Sequence, residues 1–142
     1  MVQKHPSQYF DNVEFFLSMH PDTAPLAMLR SAVKTNGCPE ELIDDVVNSA
    51  IAQELNRVIT PKEHNMTIER NGEVMRPYDD YNPSYCELLE NMKSRFVDLE
   101  EDRIKGIIDA LITKKAISIY DDQKLYRTMA LLPRTIIKIK RD

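Results

Sequence analysis

The chain has 142 residues, 42% of them hydrophobic and 30% charged, with a net charge of −4. That is enough apolar material for a globular core, and length for one domain or two very small ones. Trp is absent and only three glycines occur, which excludes a glycine-rich phosphate loop, and no apolar run approaches the roughly 20 residues needed to cross a bilayer.

Residues 1–10 lack the basic-then-apolar layout of a signal peptide. Asp11 is placed to cap a short helix over 11–19, with Val13, Phe16 and Leu17 on its apolar side, and Pro21 stops it. Asp22 or Thr23 caps the next helix, where Leu26, Leu29 and Val33 keep helical spacing. Asn36-Gly37 ends that helix, since both residues tolerate the left-handed conformation. Pro39 opens a helix over 39–58, with Glu40 and Glu41 at the positive end of its dipole. Its apolar stripe (Ile43, Val46, Val47, Ala50, Ile51, Leu55, Val58) is too broad for a lone surface helix and implies two packing neighbours.

Residues 66–76 carry the strongest hairpin signal. Asn71-Gly72 supplies the positive φ angles of a two-residue turn, so Arg70 faces Glu73, Glu69 faces Val74 and Ile68 faces Met75. Alternation then puts Met66, Ile68 and Met75 on one side and Thr67, Glu69 and Val74 on the other. Residues 77–83 form a loop. Ser84 with Glu87 makes a capping box for a helix to about residue 97, with Tyr85, Leu88, Leu89, Met92 and Phe96 facing inward. Asp98 with Glu101 starts a helix over 99–115 in the same way, with Ile104, Ile107, Ile108 and Leu111 facing inward. A hairpin follows, 117–120 and 124–129 around the turn Asp121-Asp122-Gln123, and 135–140 alternates enough to be an edge strand.

The expected fold class is α+β and mainly α. It comprises a helical N-terminal region (1–60), a hairpin and loop (61–83) and a C-terminal region (84–142), with no disordered linker to divide the core. The order helix, helix, hairpin over Tyr85–Phe96, 99–115 and 117–129 resembles a winged helix. That family binds nucleic acids and proteins alike. The resemblance implies that Asp102, Lys105, Asp109 and Thr113 form the outer face of the second helix. Its acids repel phosphates, which leaves backbone contacts to the wing side.

Charge is unevenly spread. Residues 1–58 hold four Lys/Arg against eight acids, whereas residues 97–142 hold ten against eight. A basic end on an acidic body fits nucleic acid or an acidic partner, and equally an edge strand guarded by lysines. The leading expectation is a non-enzymatic, regulatory or replication-accessory nucleic-acid-binding protein. Its contacts are Lys114, Lys115, Lys124, Arg127, Arg134, Lys138, Lys140 and Arg141. The alternative is a protein-interaction adaptor or inhibitor that uses the acidic helical half or the loop residues Tyr78, Asp79, Asp80 and Tyr81.

Other motifs carry less. His20-Pro21-Asp22 resembles the signature tripeptide of the J-domain co-chaperones. In that family a basic helix precedes it, but 11–19 contains no Lys or Arg, so Pro21 reads as a helix stop and Asp22 as an N-cap. His5, His20 and His64 have no metal spacing, and the acids of the Tyr78–Tyr81 loop lack the glycine and distal glutamate of a calcium loop, so no metal or cofactor is expected. The pairs Asp44-Asp45, Glu100-Glu101 and Asp121-Asp122 fit helix faces, caps and turns. Ser49, Ser94 and Ser118 have no nucleophile-elbow context. Cys38 and Cys86 are far apart in sequence and fit free thiols, so the expected location is the cytoplasm.

Overall fold

The computed structural model describes residues 5–61, 68–75 and 81–139, with 68–70 and 73–75 described by their backbone alone. A 3-10 helix (Pro6–Phe10) leads into α1 (Asp11–Met19), followed by α2 (Leu26–Thr35) and α3 (Glu40–Val58). A hairpin of β1 (Ile68–Arg70) and β2 (Glu73–Met75) follows. Then come α4 (Tyr85–Arg95), α5 (Glu101–Thr113), β3 (Ile117–Ile119) and β4 (Leu125–Arg127). The fold is mainly α with two antiparallel two-stranded sheets among the described residues. The helix, helix, hairpin order that underlies the winged-helix resemblance is present as α4, α5 and β3–β4.

The hairpin registers follow from turn chemistry. Asn71 and Gly72 have φ of 55° and 80°, and β1 pairs with β2 as Ile68↔Met75, Glu69↔Val74 and Arg70↔Glu73. Met66 and Thr67 lie outside the described residues. In the second hairpin Gln123 takes φ 65°, and Ile117 pairs with Arg127 and Ile119 with Leu125.

α3 is the central element. It packs on α1, α2 and α5 and contributes ten buried residues, including the polar Asn48, Ser49 and Asn56. Val58 is the exception in its expected stripe, since it sits exposed at the helix end. Leu29 and Val33 from α2, Leu88 and Met92 from α4, and Ile104 and Ile108 from α5 join the α3 residues in one buried cluster. Leu89, Phe96, Ile107 and Leu111 belong to it as expected, while Tyr85 and Phe16 are half-buried at its edge.

Two helix starts differ from the sequence expectation. α2 begins at Leu26 with Pro25 as N-cap, and neither Asp22 nor Thr23 caps it. The loop before it is held elsewhere: the Ala24 N–H donates to the Arg95 carbonyl (2.7 Å) and the Leu26 N–H to the Val97 carbonyl (3.2 Å). Likewise α5 starts at Glu101 with Glu100 as N-cap, and Asp98 adopts φ 72°. Burial of both Phe96 and Leu99 forces a sharp reversal between them, and Asp is among the residues that tolerate the left-handed region. α1 also differs by one position, since Phe10 is its N-cap and Asp11 lies in its first turn. Ser84 behaves as read, accepting the Glu87 N–H.

The largest difference is at the C-terminal end. The described residues of 135–140 form no strand. Instead the segment 130–139 runs antiparallel along α3 and hydrogen-bonds to its side chains. The Leu131 N–H donates to Asn56 Oδ1 (3.0 Å) and the Arg134 N–H to Gln53 Oε1 (3.0 Å). Gln53 Nε2 donates to the Thr135 carbonyl (2.7 Å), and the Ile137 N–H donates to Ser49 Oγ (2.7 Å). Ser49, Gln53 and Asn56 share one helix face by their i, i+4, i+7 spacing. They replace the neighbouring strand that the segment's backbone would otherwise require.

Candidate functional site

The segment along α3 completes a groove of about 1090 Å³. Ile51 and Leu55 of α3 and Leu88 and Met92 of α4 line its floor. Phe15 of α1 forms one wall and Leu131 and Pro133 of the C-terminal segment the other. Phe15 points away from the stripe that buries Val13 and Leu17, so 67% of it is exposed; Val58, at the far end, is 46% exposed. The floor residues are themselves almost fully buried, Leu55 at 7% and the other three at 2% or less, so the exposed apolar surface belongs to the rim, where large side chains held open to water are the informative departure from ordinary burial.

The charges around the groove are largely paired. Arg95 Nη2 meets Glu54 Oε1 at 2.6 Å, and the same guanidinium donates to the carbonyls of His20 and Leu17 (3.4 Å to Leu17). It thus caps the C-terminal end of α1 and binds it to α3. Arg134 joins the other wall to α1 through Asp11 (2.6 Å) and Glu14 (2.9 Å). Glu14 first, then Asp11, hold its guanidinium pKa above the ordinary value. Two arginines at the Val58 end differ. Arg127 Nη1 donates to the Arg57 carbonyl (3.2 Å), and neither arginine has a carboxylate partner among the described residues. Arg57 lies in the last turn of α3, where the helix dipole offsets only part of its charge. Asn91 and Tyr81 close this end, with Asn91 Nδ2 donating to the Tyr81 hydroxyl at 2.6 Å.

Of the expected nucleic-acid contacts the structure brings Lys115 beside the end of β4 that carries Arg127, through Ile117↔Arg127 and the Thr128 hydroxyl on the Lys115 carbonyl, and separates Lys124 and Lys138 from them. Lys114 and Lys115 are exposed where α5 turns into β3, with Lys115 at φ 59°. Lys124 is exposed at the opposite end of the hairpin, between Asp122, whose Oδ1 accepts the Lys124 N–H, and β4. Lys138 is exposed beside Ser49, about 12 Å along α3 from Arg57 by helix rise. Arg134 is neutralised by α1, and Arg127 faces the groove. Lys140 and Arg141 lie outside the described residues, as do Tyr78, Asp79 and Asp80 of the alternative site. Tyr81 is described and lines the groove.

Phe15, Glu54, Arg95 and the clamp residues Gln53 and Asn56 were not singled out from the sequence. One signal was available: Ser49, Gln53 and Asn56 form a polar line at helical spacing within a helix that is otherwise broadly apolar. Phe15, adjacent to the apolar Phe16 and Leu17, gave none, because consecutive apolar residues do not reveal which one faces out.

Among the described residues no group of His, Cys, Asp and Glu could hold a metal ion, and no helix is long and apolar enough to cross a membrane. Cys38 and Cys86 are both unpaired thiols; burial, then the charges of Glu41 and Asp45, push the Cys38 thiol above its ordinary pKa. Comparisons with protein-family models, with curated proteins and with solved structures return no match.

Proposed function

We propose that this protein is a non-enzymatic interaction module of the cytoplasm that docks a segment of a protein partner in the groove between α1, α3, α4 and the C-terminal segment. The observation that carries this reading is Phe15, two-thirds exposed on the rim of a groove of about 1090 Å³ whose floor is apolar. An aromatic side chain beside a concave apolar surface is the usual anchor of a protein interface. Asp11, Glu14 and Glu54 in its lining pair with Arg134 and Arg95, which suits a protein partner better than a phosphate backbone.

Nucleic-acid binding is the second reading. It is favoured by the exposure of Lys114, Lys115, Lys124 and Lys138, none of which has an ion-pair partner among the described residues. Scattered lysines of this kind supply salt-sensitive, sequence-independent contacts.

The test is affinity capture from native lysate, with and without nuclease, using the parent chain, Phe15→Ser, and a Lys114→Ala/Lys115→Ala/Lys124→Ala/Lys138→Ala variant. The docking reading expects a protein whose capture resists nuclease and high salt, survives loss of the lysines and fails with Phe15→Ser. Capture that nuclease abolishes, or that follows the lysines, favours the second reading instead.

A further inference from the structure

We infer that the occupant of the groove is a short apolar peptide segment bearing an acidic side chain, with its carboxylate seated against Arg57 and Arg127. This rests on the docking reading and specifies the partner's chemistry. Charge complementarity supports it. Arg134 pairs with both carboxylates of α1 and Arg95 with Glu54 Oε1, so each acid lining the groove already has a cationic partner, while the buried Glu54 Oε2 has no hydrogen-bond partner among the described residues and is open to an N–H donor of the occupant. At the Val58 end Arg57 and Arg127 both line the groove, the Arg127 guanidinium donating to the main-chain carbonyl of Arg57, and neither has a carboxylate partner among the described residues. Among the described residues at this end, a chain with a net charge of −4 thus presents two arginines without carboxylate partners beside apolar side chains.

The geometry also gives the occupant a polarity. The floor follows α3 from Ala50 to Val58, about 12 Å by helix rise, which is the span of roughly four extended residues or two helical turns. Apolar side chains of the occupant therefore pack against the exposed Phe15 ring, and the acid lies at the Arg57–Arg127 end. Guanidinium groups recognise a carboxylate through paired N–H donors, so both charge and planarity matter. Arg127 has its backbone fixed in β4 and its guanidinium held by the Arg57 carbonyl, so it is positioned before the partner arrives.

The probe is a displayed library of randomised short peptides, selected on the immobilised full chain. The selected peptides are then labelled and titrated by fluorescence anisotropy. The targets are the parent, Phe15→Ser, the exposed-site variant Arg57→Gln, the double variant Arg57→Gln/Arg127→Gln, and Arg127→Lys, each checked for folding by circular dichroism. The expected result is enrichment of Asp or Glu next to large apolar residues. Affinity should fall roughly tenfold in the double variant, the scale of two partly exposed charge pairs, and less in Arg57→Gln and Arg127→Lys. The parent should lose affinity with added salt more steeply than the double variant. Peptides weakened by Phe15→Ser but indifferent to the arginines, or enriched in Lys and Arg, would overturn this inference and leave the docking reading standing. No selected peptide, or binding that ignores every variant, overturns both.

Discussion

The hydroxyl of Ser49 meets both backbone groups of Ile137, 88 residues away, accepting its N–H at 2.7 Å and reaching its carbonyl at 3.1 Å. Ser49 Oγ also lies 2.6 Å from the Asp45 carbonyl in its own helix, so its single proton is shared between two acceptors. The contact is buried, with Ser49 fully enclosed and Ile137 at 9% exposure. It fixes the end of the segment that forms one wall of the groove.

Ser49→Ala leaves the buried Ile137 N–H without a partner, which costs about 1–3 kcal/mol. Denaturant titration should show that loss, and hydrogen exchange should show faster exchange at Ile137 than at core positions of α3. Cysteine in place of Ser49 is a weaker remedy, because sulfur is a poor acceptor.

Leu111 of α5 is 1% exposed and shares one buried cluster with Leu88 and Met92 of α4. Leu111→Ala is expected to cost about 2–5 kcal/mol through lost burial and the cavity left behind. A shift of the urea midpoint with an unchanged slope would identify it as a stability effect of the common core.

At Gly72 the strain is local. Its φ is +80°, and a Cβ added there meets no atom within 4 Å, so only the backbone conformation opposes substitution. Gly72→Val should cost about 1–2 kcal/mol at the hairpin. NMR should then show loss of the cross-strand backbone contact between Glu69 and Val74, while Gly72→Asn, which tolerates positive φ, retains it.

Tyr85 ties α4 to α5 through its hydroxyl, which donates to Asp109 Oδ1 at 3.0 Å. Burial first, then the hydrogen bond and charge of Asp109, push its pKa up to about 12. The folded state thus holds the phenolic proton more tightly than the unfolded chain, where a tyrosine ionises near about 10. This stabilisation is complete below the unfolded value and disappears as pH rises through the folded one. Stability measured against alkaline pH should fall less steeply across that interval in Tyr85→Phe than in the parent.

Local chemistry was legible in the sequence. Asn71-Gly72 set the register of the first hairpin, and Ser84 with Glu87 set the start of α4, because these motifs satisfy their own backbone groups whatever surrounds them. The helical spacing of Ile104, Ile107, Ile108 and Leu111 identified the buried face of α5 for the same reason: the period belongs to the helix itself. Where several acids competed for one cap, the motif misled: Asp98 with Glu101 reads as a capping box, but Glu100 is the N-cap. Asp98 became a left-handed turn residue because Phe96 and Leu99 are both drawn into the core, a demand set by distant residues.

Tertiary structure decided the site. The alternation over 135–140 suits a strand, but a strand needs a partner edge, and here the side chains of Ser49, Gln53 and Asn56 provide the hydrogen bonds instead. That choice neutralises Arg134 on α1, closes a groove that Arg127 also lines and leaves Lys138 apart from the hairpin lysines. Composition placed a basic end on an acidic chain. Which of those charges remain unpaired, and beside what apolar surface, depends on contacts between residues 70 or more positions apart, which no local period encodes.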